Sequence, residues 1–125
     1  MNNVFRHDAI TLHQDVKKED FEKFMKEELV PLFSQVYKGP TRSSKADLQS
    51  QSLLRDTKGH KYIWITVWKG SPEAVRGSSF ENTRMSKLDG MQEADAMLKK
   101  LETFGIRATE KVFSEIEHTD VAVNT

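Results

Sequence analysis

The heptad Tyr62-Ile63-Trp64-Ile65-Thr66-Val67-Trp68 constrains this chain more than any other stretch. As a strand it puts Tyr62, Trp64, Thr66 and Trp68 on one face and Ile63, Ile65 and Val67 on the other. Both sets are bulky and largely apolar, so both faces need cover. Helices packed on one face of a sheet leave the second face to water, and a strand apolar on both sides therefore implies another layer, most simply a second copy of the chain.

The 125 residues suit one domain, and a 37% hydrophobic content that includes seven Phe, two Tyr and two Trp can fill one core. Nineteen basic and nineteen acidic residues cancel and are interspersed. This leaves no electrostatic footprint for nucleic acid or an anionic membrane, and neither is expected as a partner. No apolar run reaches the length of a membrane helix, and Met1 to Asp8 lacks the apolar core of a signal peptide, so a soluble, cytoplasmic protein is expected. The absence of cysteine excludes disulfides, thiolate catalysis and sulfur-ligated metals.

Val4 to His13 reads as a strand, with Arg6, Asp8, Ile10 and Leu12 opposing Phe5, His7, Ala9, Thr11 and His13. From about Val16 the period turns helical. Phe21, Phe24, Met25, Leu29, Leu32, Phe33 and Val36 form a stripe, while Lys17, Lys18, Glu22, Lys23, Lys26 and Glu27 face water. Pro31 predicts a kink or short break between Glu27 and Pro31, and Tyr37-Lys38-Gly39-Pro40 ends the helix. Ala46 to Arg55 reads as a polar edge strand, joined through the turn Asp56-Thr57-Lys58-Gly59-His60 to the aromatic strand in a hairpin. Ser71-Pro72-Glu73 signals the start of a short helix. Phe80 to Gly90 has no clear period, and the segment from Gly77 to Gly90 is expected to form a mobile cover. Met91, Ala94, Met97, Leu98, Leu101 and Phe104 make a second helical stripe with Gly105 as its C-terminal cap. A last strand spans Arg107 to His118, and residues 119–125 read as a frayed tail or an arm on a partner subunit.

Strand, helix, strand, strand, helix, strand is the βαββαβ order of the ferredoxin-like fold. It is an α+β split βαβ arrangement: a four-stranded antiparallel sheet carrying its helices on one face. That order, with Val4-Phe5-Arg6-His7 opening the first strand and Lys18-Glu19-Asp20-Phe21-Glu22-Lys23-Phe24 opening the helix, resembles the stress-responsive dimeric α/β-barrel proteins, relatives of the antibiotic-biosynthesis monooxygenases. The resemblance covers about residues 4 to 117.

It implies a homodimer whose two sheets close a barrel, with each subunit's pocket between its own sheet and helices. It also implies that His7, matching a family histidine, points into that pocket. Ala9 and Thr11 would then leave room beneath the helices, and Tyr62, Trp64 and Trp68 would form the neighbouring wall. Ile63, Ile65 and Val67 would fill the intersubunit barrel. Phe24 and Phe80 complete the expected lining. The implied function is binding of a small apolar or aromatic molecule. The alternative is a cofactor-independent monooxygenase-like or isomerase-like enzyme acting on an aromatic or quinol substrate, with His7 as its proton-transfer group. No cofactor is expected: haem-degrading relatives combine a first-strand asparagine with a helix histidine, and neither occurs here between Val4 and His13 or between Ser71 and Phe104. No metal is expected either, because His7 and His13 lie about 20 Å apart along one strand. His118 could approach Phe5 or His7 from a neighbouring strand. No phosphate-cradling glycine loop or Ser-His-Asp pattern is present, which removes support for nucleotide enzymes and hydrolases.

Overall fold

The computed structural model describes residues 3–37, 47–72, 75 and 91–121. Strand β1 (Asn3–Leu12) is followed by helix α1 (Lys18–Phe24), a π-helical turn (Met25–Leu29) and helix α2 (Val30–Val36). Strands β2 (Asp47–Arg55) and β3 (Lys61–Lys69), helix α3 (Met91–Leu101) and strand β4 (Gly105–Ser114) complete the order. The sheet is antiparallel in the order β2-β3-β1-β4. This is the expected ferredoxin-like arrangement. The β2–β3 turn closes through Gly59 N–H to Asp56 O at 3.2 Å and Lys58 N–H to the Asp56 carboxylate at 3.0 Å.

The helical stripe packs on the sheet as the periodicity predicts. Phe21, Phe24, Met25, Leu29 and Phe33 are buried against Tyr62, Trp64 and Trp68 of β3 and Ile10 of β1. Ring pairs fix the register of the two layers: Phe21 with Tyr62 at 4.7 Å, Phe33 with Trp64 at 5.0 Å and Tyr37 with Trp68 at 5.5 Å between centroids. Each such pair adds about 1 kcal/mol beyond the area it buries.

Pro31 acts differently from expectation. A proline ring crowds the carbonyl four residues back and donates no hydrogen bond. Instead of breaking, the helix widens just before Pro31, and the Val30 N–H reaches back five residues to Met25 O. The two helical halves remain continuous through this turn.

The faces of β1 are the reverse of the implied ones. Val4, Arg6, Asp8, Ile10 and Leu12 lie under the helices, whereas Phe5, His7, Ala9 and Thr11 lie on the open face. The reason is register: His7 pairs with Ile65 and Ala9 with Ile63, and residues directly opposite in an antiparallel pair share a face. Two charges can sit inside because they neutralise one another. Arg6 Nε lies 3.1 Å from Asp8 Oδ2, Arg107 Nη1 lies 3.0 Å from Asp8 Oδ1, and Arg6 Nη1 donates to Val75 O at 3.3 Å.

Three further boundaries differ. The alternation in β2 is broken by a register shift between Leu48 and Ser50, which puts Leu48, Gln51, Leu53 and Arg55 on the helix side and Leu54 on the open side. Gly105 begins β4 opposite Leu12, where a Cβ would lie 2.9 Å from the Thr11 carbonyl carbon, so close backbone approach requires glycine there. Strand β4 ends at Ser114; His118 sits in the exposed segment beyond it and bonds Asp120 at 2.8 Å rather than Phe5 or His7. Val75 N–H donates to Ser71 O at 3.1 Å, one turn of the helix predicted from Ser71. Phe80 and the cover expected from Gly77 to Gly90 lie outside the described residues, as do residues 122–125 of the tail.

Candidate functional site

A cleft of about 520 Å³ opens between the helical layer and the β2–β3 edge of the sheet. The π turn and its flanks supply Glu22, Met25, Lys26 and Val30; the sheet supplies Gln51, Leu53, Arg55 and Tyr62. The bulge in β2 is what aims Gln51, Leu53 and Arg55 at it, and the hairpin register sets Arg55 opposite Tyr62 and Leu53 opposite Trp64.

The polar groups are ordered by hydrogen bonds. Gln51 Nε2 donates to Val30 O and to Ser34 Oγ, both at 2.9 Å, and its Oε1 accepts the Trp64 indole N–H at 3.1 Å. An indole offers only a donor and a backbone carbonyl only an acceptor, so these partners fix the amide's orientation. Glu22 Oε2 accepts the Tyr62 hydroxyl at 2.6 Å and Arg55 Nη1 at 2.8 Å. The Tyr62 hydrogen bond, with help from the charges of Arg55 and Lys26, holds the Glu22 carboxyl below its ordinary value despite partial desolvation. Burial, reinforced by donation to that carboxylate, pushes the Tyr62 hydroxyl up to about 12. At neutral pH the pair is therefore a carboxylate and a neutral phenol, each moved away from the range where a general acid or base works best.

Of the residues the sequence pointed to, Tyr62 lines this cleft. Trp64 is fully buried and reaches it through Gln51. Trp68 is also fully buried, its indole N–H donating to Thr66 Oγ1 at 2.8 Å. Phe24 faces elsewhere: it stacks on Phe104 at 4.9 Å, beside a second depression of about 430 Å³ lined by Asp20, Lys23, Glu27, Glu28 and Lys100 as well. His7 and Thr11 lie on the opposite side of the sheet, where the His7 ring packs 5.0 Å from that of Phe113. His7 and Trp64 thus share no pocket, and the single wall expected from them is corrected. Among the described residues no group of three His, Cys, Asp or Glu is placed to hold a metal ion.

The sequence reading missed Glu22, Met25, Lys26, Val30, Gln51, Leu53 and Arg55. Glu22 and Lys26 looked like ordinary water-facing residues, and Met25 and Val30 like plain helix residues. The usable signal was the hairpin itself, since pairing across its turn brings Arg55 beside Tyr62.

No family model matches the sequence, and no curated protein matches it. Solved structures do. SnoaB from Streptomyces nogalater, described as a cofactor-independent oxygenase, superposes with a TM-score of 0.64 at 17% identity, covering 94% of this chain and 97% of that one. The chain has the fold of the antibiotic-biosynthesis monooxygenases. A protein from Nitrosomonas europaea described as a candidate member of that group gives 0.59 at 8% identity over 95% of both chains. Another from Caulobacter crescentus gives 0.52 at 14% identity, over 93% of this chain and 92% of that one. The resemblance read from the first strand and helix thus holds at the level of fold. No helix among the described residues is long and apolar enough to cross a membrane.

Proposed function

We propose that the chain forms a homodimer that binds a small, largely apolar molecule in the cleft between α1, the π turn and the β2–β3 edge. The carrying observation is the cleft itself. It has an apolar lining of Met25 and Val30 from the helical layer and Leu53 from the sheet, with a few ordered polar groups on one side, a composition suited to orienting a ligand. Binding is favoured over proton-transfer chemistry because Glu22 and Tyr62 titrate far from neutrality.

The dimer follows from the other face of the sheet. Phe5, Ile63, Ile65 and Val67 are only half-buried there, and Leu54, Ile106 and Phe113 are exposed, so apolar side chains from all four strands meet on one surface. A second copy of the same surface is the simplest self-complementary cover. In that arrangement His7 and Thr11 belong to the interface, not to the cleft.

Trp64 supplies the test through its bond to Gln51. Titration with a panel of planar aromatic ligands should change tryptophan emission saturably for at least one, and Leu53→Asp should remove the response. A panel without a saturable change in the wild type sinks the binding reading. Light scattering should give about twice the 14.4 kDa chain mass. The second reading is a cofactor-independent oxygenase, favoured by the fold shared with SnoaB. It requires oxygen consumption on adding a dihydroxynaphthalene or anthrone, blocked by Leu53→Asp.

A further inference from the structure

We infer that the cleft selects ligands carrying one carboxylate on an apolar body, with Lys26 and Arg55 as the anchoring cations. This rests on the binding reading above and adds the ligand's charge class to it. Gln51 is spent, its two amide hydrogens on Val30 and Ser34 and its oxygen on Trp64. The Tyr62 proton is committed to Glu22, and the same Glu22 oxygen also takes Arg55.

Besides the second Glu22 oxygen, two cationic groups keep capacity. Arg55 is 54% exposed and uses one of its five N–H donors on Glu22. The Lys26 ammonium, one helical turn after Glu22, has no ion-pair partner among the described residues and is near enough to help hold Glu22 ionised.

The charges around the cleft are thus two cations against one carboxylate that already has two donors. One unit of positive charge is left over, which matches a monoanion. A cationic ligand could reach the second Glu22 oxygen only against repulsion from Arg55 and Lys26, and a neutral one would leave the remaining guanidinium hydrogens to water. The flat guanidinium fork favours a carboxylate, whose two oxygens it can meet together. The volume of about 520 Å³ accommodates a fused two-ring body over Met25 and Leu53.

Calorimetric titration with three ligands of one shape tests this: 2-naphthoate, 2-naphthalenemethanol and 2-naphthylmethylamine, at pH 7.5 and low salt. The naphthoate should bind about tenfold or more tighter than the alcohol, with the amine weakest, and the preference should shrink as salt is added. Lys26→Gln and Arg55→Gln should each reduce the preference of naphthoate over alcohol, and the double variant should abolish it. Equal binding of naphthoate and alcohol overturns the charge assignment but leaves the cleft as a binding site, and so does a preference that survives in the double variant. No binding by any of the three overturns the cleft reading, and this inference with it.

Discussion

Tyr62→Phe isolates the hydrogen bond at the centre of the cleft. The substitution removes one oxygen from a side chain that is only 1% exposed and leaves the ring on Phe21, 4.7 Å away, so packing is kept. What is lost is a 2.6 Å bond from a phenol to a carboxylate. A hydrogen bond to a charged group contributes about 1.5 to 3 kcal/mol. The alkaline side gives a ceiling: moving the Tyr62 hydroxyl from its ordinary 10 up to about 12 corresponds to about 2.7 kcal/mol. Glu22 keeps Arg55 at 2.8 Å and is itself 24% exposed, so its carboxylate is not orphaned and the lower end applies. The expected loss is about 1.5 kcal/mol at pH 7, or about 6 °C in Tm for a chain of this length.

The pH profile carries the sharper signature. Because folding raises the Tyr62 value, its contribution is fully present below pH 10 and is lost as pH climbs toward 12. Folding lowers the Glu22 value from its ordinary 4.5, so its contribution is present above that pH and is lost on further acidification. Urea unfolding of wild type and variant at pH 7, 9.5 and 11 reads the alkaline effect. The gap between the curves should be full at pH 7 and 9.5 and narrow at pH 11. Superimposable curves at pH 7, or a gap that stays constant to pH 11, would refute the assigned bond.

Ile65→Asp, set in the middle of the open face opposite His7, should give monomers or insoluble protein by light scattering, since it would bury an unpaired charge between copies. Asp8→Asn leaves Arg6 and Arg107 buried without their carboxylate and should cost about 3 to 5 kcal/mol in denaturant unfolding. Asp95→Asn, which loses only a helix-surface pair with a 75% exposed Lys99, should cost under about 0.5 kcal/mol in the same assay. Gly105→Ala forces a Cβ to within 3.0 Å of Leu12 Cα and closer still to the Thr11 carbonyl, backbone that cannot move aside, and should lower stability by more than about 2 kcal/mol.

The layers and the strand order were legible because periodicity reports burial, and burial is what the helices and β3 share. The stripe from Phe21 to Val36 and the alternation from Tyr62 to Trp68 each name a face without any tertiary knowledge. The face of β1 was not legible by the same rule. Arg6 and Asp8 look like the wet side of a strand, and they can lie inside because they pair with each other while Arg107 and the Val75 carbonyl, both far away in sequence, make further bonds with the cluster. Hydropathy scores residues singly; a buried ion cluster is a property of three chain segments at once.

The cleft was hidden for a related reason. Its position depends on two irregularities that no hydrophobic period encodes: the register shift between Leu48 and Ser50 and the π turn before Pro31. Pro31 predicts a kink or short break because proline removes a donor and crowds a carbonyl, and that physics holds. The helix answers it by widening rather than ending, and the widened turn is where Met25, Lys26 and Val30 come to roof the space above β2. Gln51 bridges that turn to the core, donating to the Val30 carbonyl and accepting the Trp64 indole N–H. The widened turn thus supplies the roof of the cleft, and Gln51 ties that roof to Trp64 in the core. A sequence reading could find such a site by asking, at every proline inside a helical stripe, which polar residue on the facing strand can reach the backbone of the turn beside it.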